Sequence, residues 1–280
     1  MKNPSVYSII GVVAVCLAAA ESAGAGTLKC PPDSVKVGNV CIDTYEASVW
    51  QIPPSNTALV KLVQAGKATL ANLTAGGATQ LSTSWGSSCL GSTPYPANFP
   101  IDGNWTPVPG SSPPSPGVYA VSIPGVLPTA CTTWFQANQA CALSGKRLVR
   151  NGEWQRAAAG TPDAGASPGA NDCNTNSANP SNTGSRTNCK SAWGVFDMVG
   201  NVDEWVEDWG DLADHCTIWS PAFGSDLSCV GGPGSSYSNL PGAWLRGNAW
   251  GGNIYAGVFA VDGRFDPSFS GGATGFRCAR

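Results

Sequence analysis

Residues 191–209 read SAWGVFDMVGNVDEWVEDW. Trp193, Phe196, Met198, Val199, Trp205 and Trp209 supply apolar bulk, and Gly194 and Gly200 let the backbone bend between them. Asp197 and Glu204 set two carboxylates into that apolar surrounding. Two readings follow. Side-chain and carbonyl oxygens on bent backbone suit a hard cation such as Ca²⁺, which takes 6–8 oxygen ligands. Alternatively, the two carboxylates cap N–H groups of the loop.

The 280 residues suffice for one large domain or two small ones. Only 12% are charged and the balance is slightly acidic, which excludes the clustered basic face that nucleic acid requires. Gly (35) and Pro (22) point to long irregular loops rather than a helical bundle. Eleven Trp are too many for a disordered chain.

The N-terminus, MKNPSVYSIIGVVAVCLAAAESAGAG, has one Lys, an apolar run and Ala23-Gly24-Ala25. It reads as a secretory signal peptide over residues 1–25, leaving residues 26–280 as a single domain. A membrane anchor is the competing reading, for which the run is short. A lipid on Cys16 is a third, opposed by Val15 before it. With the leader removed no membrane span is expected, and the destination is the bacterial periplasm, the cell surface or the medium. Ten cysteines remain, an even number that in an exported chain predicts five disulfides. No C-x-x-C pair exists and His215 is the sole histidine, so His-rich zinc or iron sites are excluded.

Residues 30–50 alternate apolar and polar residues around a Gly-Asn turn and predict a hairpin. Residues 56–75 predict two short helices, each ending at Gly. Residues 81–128 are rich in Ser, Pro and Gly, and Trp85 and Trp105 make them a packed loop. Thr132 or Thr133 caps a helix ending at Gly145; Asn151 caps a second, stopped by Gly160. A long polar loop with Cys173 and Cys189 follows. Short helices, short strands and long tied loops make one irregular α+β domain.

Residues 191–209, taken with GKRLVRNGEW (145–154) and GFRCAR (275–280), resemble the formylglycine-generating enzyme (sulfatase-modifying factor) family. That family's wording runs G-K-R-L-P-T-E-A-E-W, G-N-V-W-E-W, R-G-G-S-W and G-F-R-C-A. Order and spacing match over residues 30–280. The resemblance implies a C-type-lectin-like α+β fold, poor in regular secondary structure and stapled by disulfides. It implies a structural Ca²⁺ held by the Asp197 and Glu204 side chains with the Gly200 and Val202 carbonyls. Asn174 and Thr175 align loosely with a second site, and Asp203 stands where the family has Trp. It also implies a Cys141–Cys278 bond. Local spacing then favours Cys30–Cys41, Cys173–Cys189 and Cys216–Cys229, leaving Cys89–Cys131.

Oxidases of the family bind copper through two cysteines, as soft thiolates suit Cu(I). Those positions fall near Gly252 and Gly257, and no sulfur occurs from 230 to 277. A second branch holds iron with three histidines, which this chain lacks. Neither copper nor iron is expected. His215 reads as a solvated loop residue rather than a base.

The segment that replaces the active site reads W-GGNIY-AGVFA-VDGRFD-PS-FSGGAT-GFRCAR. Its spacing resembles the variable region of diversity-generating retroelement target proteins, which use the same fold. Such systems mutate adenines in Asn codons, which yields Gly, Asp, Ser, Tyr, Ile, Val, Arg, Phe, Ala or Thr but not Lys, Glu, Gln, Met or Trp. The seventeen positions between the fixed blocks obey that rule. Tyr, Phe and Arg make strong contacts while Gly, Ser and Asn adapt. The expected ligand surface within the variable segment 250–274 is Trp250, Asn253, Ile254, Tyr255, Asp262, Arg264, Phe265, Asp266, Phe269 and Ser270. The expected partner is an unknown protein or glycan. The alternatives are an oxidase or protein-modifying enzyme with a non-standard active site, and a fixed-sequence adhesion protein.

Overall fold

The chain turns at Gly38, whose φ of +65° is a left-handed value that a Cβ would strain, and folds there into a hairpin. The computed structural model describes residues 28–81, 89, 117–231 and 240–280; the leader and the Trp85 and Trp105 loop lie outside them. The hairpin is β1 (Ser34–Val37) and β2 (Val40–Asp43), paired antiparallel with Ser34 opposite Asp43. Then come β3 (Ser48–Ile52), α1 (Thr57–Gln64), α2 (Leu70–Ala75), β4 (Thr79–Leu81) and β5 (Gly117–Val121). Next are α3 (Trp134–Leu143), β6 (Arg147–Leu148) and α4 (Asn151–Ala157). After the long polar loop follow β7 (Asp203–Asp211), β8 (Thr217–Ile218), β9 (Leu227–Cys229) and β10 (Pro241–Arg246). The chain closes with β11 (Val261–Phe265), β12 (Thr274–Phe276) and β13 (Cys278–Ala279).

Three sheets result, ordered β1-β2-β13-β6, β12-β7-β10-β11-β9-β8 and β4-β3-β5. One core joins all three: Val49, Val118, Leu148, Trp205, Leu245 and Phe276 bury together. Trp154 and Trp205 are wholly buried. Each withdraws roughly 150–250 Å² from water, on the order of 5 kcal/mol at about 25 cal/mol per Å². The C-terminus is tied in twice, by pairing of β13 with β2 and β6 and by the Cys141–Cys278 disulfide. The other disulfides are Cys30–Cys41, Cys89–Cys131, Cys173–Cys189 and Cys216–Cys229. No helix among the described residues is long and apolar enough to cross a membrane.

Local chemistry explains the helix ends. Thr133 and Gln136 form a reciprocal capping box at α3, and Gly145 (φ +68°) follows it. Asn151 does not cap α4 as expected. Arg150 holds the cap position and its N–H donates to Glu153 at 3.0 Å, while Asn151 is the first helical residue. The Asn151 side chain instead accepts a hydrogen bond from Arg246 at 2.6 Å. The 117–121 stretch, expected as loop, is a strand buried along its whole length.

Candidate functional site

Gly247 (φ +84°) turns the chain out of β10 into the 247–260 loop. Its first half sits on two neighbouring stretches. Trp250 N–H donates to Asn201 O at 3.0 Å, Asn253 N–H to Thr175 O at 2.6 Å, and Ser177 N–H to Trp250 O at 2.9 Å. Trp250 is half-buried there. A single 3-10 turn at Asn253–Tyr255 puts Ile254 and Tyr255 in solvent, 42% and 46% exposed. Asn253 is half-buried, and its Oδ1 is buried without a hydrogen-bond partner.

The second half departs from the expected surface. β11 lies between β10 and β9 in the six-stranded sheet, so Val261, Asp262 and Gly263 are covered. Asp262 is buried rather than displayed, and it pairs with Arg264, Oδ2 to Nη2 at 2.6 Å. Arg264 reaches solvent. Phe265 stacks on Phe269 with centroids 4.0 Å apart, and both pack half-buried against the core. Asp266 is exposed and accepts from Ser268 N–H at 2.9 Å. Ser270 is buried, its Oγ without a partner. Asp262 is covered because a stretch without periodicity, which reads as loop, pairs there on both edges as an inner strand. Phe265, Phe269 and Ser270 are covered by packing against the core or by burial beyond the strand's doubly paired part.

Three aromatics that sequence reasoning left out of the site adjoin it. Trp209 and Phe265 are both cross-strand partners of Ala243. Trp134 meets Trp209 edge-on at 4.9 Å, and Phe135 meets it at 6.0 Å. Phe135 is 46% and Trp209 43% exposed, so an aromatic surface continues from the Phe265–Phe269 stack. The missed signal was the company Trp209 keeps: Glu207, Asp208 and Asp211 mark a wet end of β7. Asp203 also belongs here. Burial, with the nearby Asp262 charge, pushes its carboxyl well above the usual range.

At Gly252 and Gly257, where the resemblance places copper-binding cysteines, side chains have little room. A Cβ on Gly257 would lie 2.0 Å from Asp226 Oδ1, and one on Gly252 would lie 2.7 Å from Asn248 Cγ. Asp226 has taken the space, with its Oδ2 accepting from Phe259 N–H at 2.7 Å. His215 is 86% exposed beside Asp214. Among the described residues, three metal-ligating side chains converge at Cys216, Cys229 and Asp262, where both cysteines are already bonded in a disulfide.

The expected cation ligands lie in a buried acidic cluster. Glu204 accepts from Arg277 on both oxygens and from Trp154 Nε1 at 2.7 Å. Asp197 accepts from Gly184 N–H at 2.7 Å; burial pushes it up to about 7. Glu46, unnoticed in the sequence, is wholly buried and accepts from Val202 N–H at 3.0 Å and from Asn201 Nδ2. Burial and the Asp197 and Glu204 charges raise it well above its ordinary value. Three carboxylates thus face one guanidinium. The donor set is all oxygen, as Ca²⁺ requires. Glu204, however, already has its counter-charge.

The family described as the sulfatase-modifying factor enzyme 1-like domain matches residues 19–280. A tail fiber receptor-binding protein of Bordetella phage BPP-1 is 32% identical over 138 residues, covering 49% of this chain and 34% of that protein. The formylglycine-generating enzyme of Thermomonospora curvata is 28% identical over 201 residues, covering 62% and 63%. Among solved structures, the Major Tropism Determinant I1 variant aligns with a TM-score of 0.39 at 24% identity, over 53% of this chain and 37% of that one. The chain spans about a third of the phage relative's length and under two thirds of the enzyme's.

Proposed function

This chain belongs to the sulfatase-modifying factor enzyme 1-like domain family, and we propose that it uses the family scaffold to present a binding surface for a protein or glycan. One observation carries the reading. Fixed blocks are buried where they support the segment (Ala256, Ala260, Pro267 and Gly275 to Cys278), while Ile254, Tyr255, Arg264 and Asp266 project from that frame. Such a surface can change its side chains without refolding the scaffold. The aromatic group around Trp209 adds rigid contact area beside it. The phage relative is a tail fiber receptor-binding protein, which agrees with the reading. The thiol-oxidase alternative gains no support at Gly257, where Asp226 occupies the space a cysteine would need.

Export belongs to the proposal, since five disulfides persist in oxidising compartments. So does a structural Ca²⁺. The excess of carboxylates over Arg277 favours a cation, and Asp197 with the Gly200 and Val202 carbonyls would hold it, Glu204 being paired already. A chelator should then lower the melting temperature of the purified protein and leave Asp197→Asn unmoved.

The binding reading is tested by a library randomised at 254, 255, 266 and the 262/264 pair, selected against an unrelated soluble protein such as hen lysozyme. Folded binders are expected. A library that folds yet yields none counts against the reading. Sequencing the locus tests the origin: a reverse transcriptase and a near-copy of codons 246–280 differing at adenines should lie nearby.

A further inference from the structure

Arg246 is a buried cation with neutral partners. It ends β10, is 5% exposed, and lies 4.5 Å over the Trp154 ring. Its Nε donates to Ala260 O at 2.8 Å, and Nη1 to Asn151 Oδ1 at 2.6 Å. Nη2 donates to Gln155 Oε1 and to Val258 O at 3.1 Å. Among the described residues no carboxylate comes within ion-pair distance of it. Asp226 acts on it through space only, and spends Oδ2 on Phe259 N–H. A buried charge without a counter-charge is costly. Burial accordingly lowers Arg246 to about 10.

A pocket of about 420 Å³ opens beside this guanidinium, a size suited to a small organic molecule. Its walls are Trp219, Phe223 and Phe259, which are 36%, 47% and 37% exposed. The walls brace each other. Trp219 Nε1 donates to Phe259 O at 2.7 Å, and Phe223 meets Phe259 edge-on at 5.0 Å. Trp219 and Phe223 come from the stretch closed by the Cys216–Cys229 disulfide. Trp244 also lines the pocket, and its Nε1–H is buried without a partner. Asn151 and Gln155 line it too, and their side-chain oxygens already accept from Arg246.

We propose that this pocket binds a small flat aromatic molecule carrying one anionic group. Its ring lies among Trp219, Phe223 and Phe259, and its anion meets Arg246. The chemistry is complementary at both ends: aromatic walls take a π-face, and an unneutralised guanidinium takes an anion. Phe259 and Val261 of the 250–274 segment line this pocket, but the projecting side chains Ile254, Tyr255, Arg264 and Asp266 do not. Binding in the pocket needs none of those four side chains, so its failure and the failure of display are distinguishable.

Two dyes with nearly the same aromatic body decide it. The anionic 8-anilinonaphthalene-1-sulfonate and the neutral N-phenyl-1-naphthylamine are titrated by fluorescence into the purified full chain. One saturable site is expected, with the sulfonate bound about tenfold or more tightly than the amine. Asn151→Asp with Gln155→Glu gives Arg246 a counter-charge in place. That variant should lose about tenfold for the sulfonate and nothing for the amine. Phe223→Ala with Phe259→Ala should weaken both dyes. Should the acidic pair fail to fold, Gln155→Glu alone, which sets one carboxylate against Arg246 Nη2, should weaken the sulfonate alone. Equal affinity for the two dyes, no binding of either, or sulfonate binding unchanged in these variants overturns the proposal.

Discussion

Arg277 clasps Glu204 inside the core, Nε to Oε2 at 2.7 Å with Nη2 on Oε1, at side-chain exposures of 0% and 1%. The pair joins the C-terminal GFR block to the GNVDEW block, and Trp154 Nε1 adds the GEW block to the same carboxylate. Three distant motifs therefore meet at one side chain. Arg277→Met leaves Glu204 charged, buried and short of its partner, and should cost about 3–5 kcal/mol. Glu204→Gln should cost less, because Glu46 and Asp197 still attract Arg277. Urea unfolding at neutral pH measures both, and a loss below about 1 kcal/mol for Arg277→Met would contradict the account.

The C-terminal surface should divide by burial. Ile254→Ser and Tyr255→Ser remove exposed side chains and should each change stability by no more than about 0.5 kcal/mol. Phe265→Ser cuts into the stack with Phe269 and the core beneath, and should cost about 1–3 kcal/mol. Arg264→Ser strands the Asp262 carboxylate; the double change Asp262→Ser with Arg264→Ser should recover part of that loss. Thermal melts of the five variants separate frame from surface.

Much of this architecture was legible because local chemistry and tertiary demand agreed. The Gly38 turn, the Thr133–Gln136 box and the stop at Gly145 are each written within four residues. What stayed illegible depended on neighbours far away in sequence. β5 shows no alternation because both its faces are buried, and β11 shows none because Val261, Asp262 and Gly263 are buried in succession. Asn151 looked like a cap, yet Arg246, 95 residues on, claims its side chain. Glu46 is a lone acid in sequence, 156 residues from the Val202 N–H it accepts.

Gly257 should be intolerant of side chains while Asp226 is in place. Gly257→Ala drives a methyl into the Asp226 carboxylate and should cost about 1–3 kcal/mol. Asp226→Ala alone loses the Phe259 N–H bond and should cost about 1–2 kcal/mol. Combined, they should cost less than the sum, since the second removes the clash made by the first. Strict additivity in denaturant melts would mean that Asp226 is not what fills the site. Gly252→Cys with Gly257→Cys should bind Cu(I) poorly until Asp226 and Asn248 are also made Ala.

Asp43 gives a pH dependence with a definite sign. Burial pushes it from 3.8 up to about 6, even though Lys146 Nζ sits 2.7 Å from its Oδ1. Lys146 is shared, for it also lies 2.7 Å from Asp33 Oδ2. Asp33 is itself raised by burial, but Lys146 and Arg280 together outweigh that and leave it below its ordinary value. The two carboxyls therefore act in different windows. The folded chain holds a proton on Asp43 that the unfolded chain has released, so Asp43 contributes stability below about pH 4 and loses it as pH rises through about 6. Asp33 contributes above 3.8 and loses its contribution only on further acidification. Between pH 4 and 7 the wild type should lose on the order of 1–3 kcal/mol relative to Asp43→Asn, which cannot titrate there. Urea midpoints for the two proteins across that range measure the difference. Parallel curves would mean that Lys146 holds Asp43 ionised throughout and that burial does not prevail.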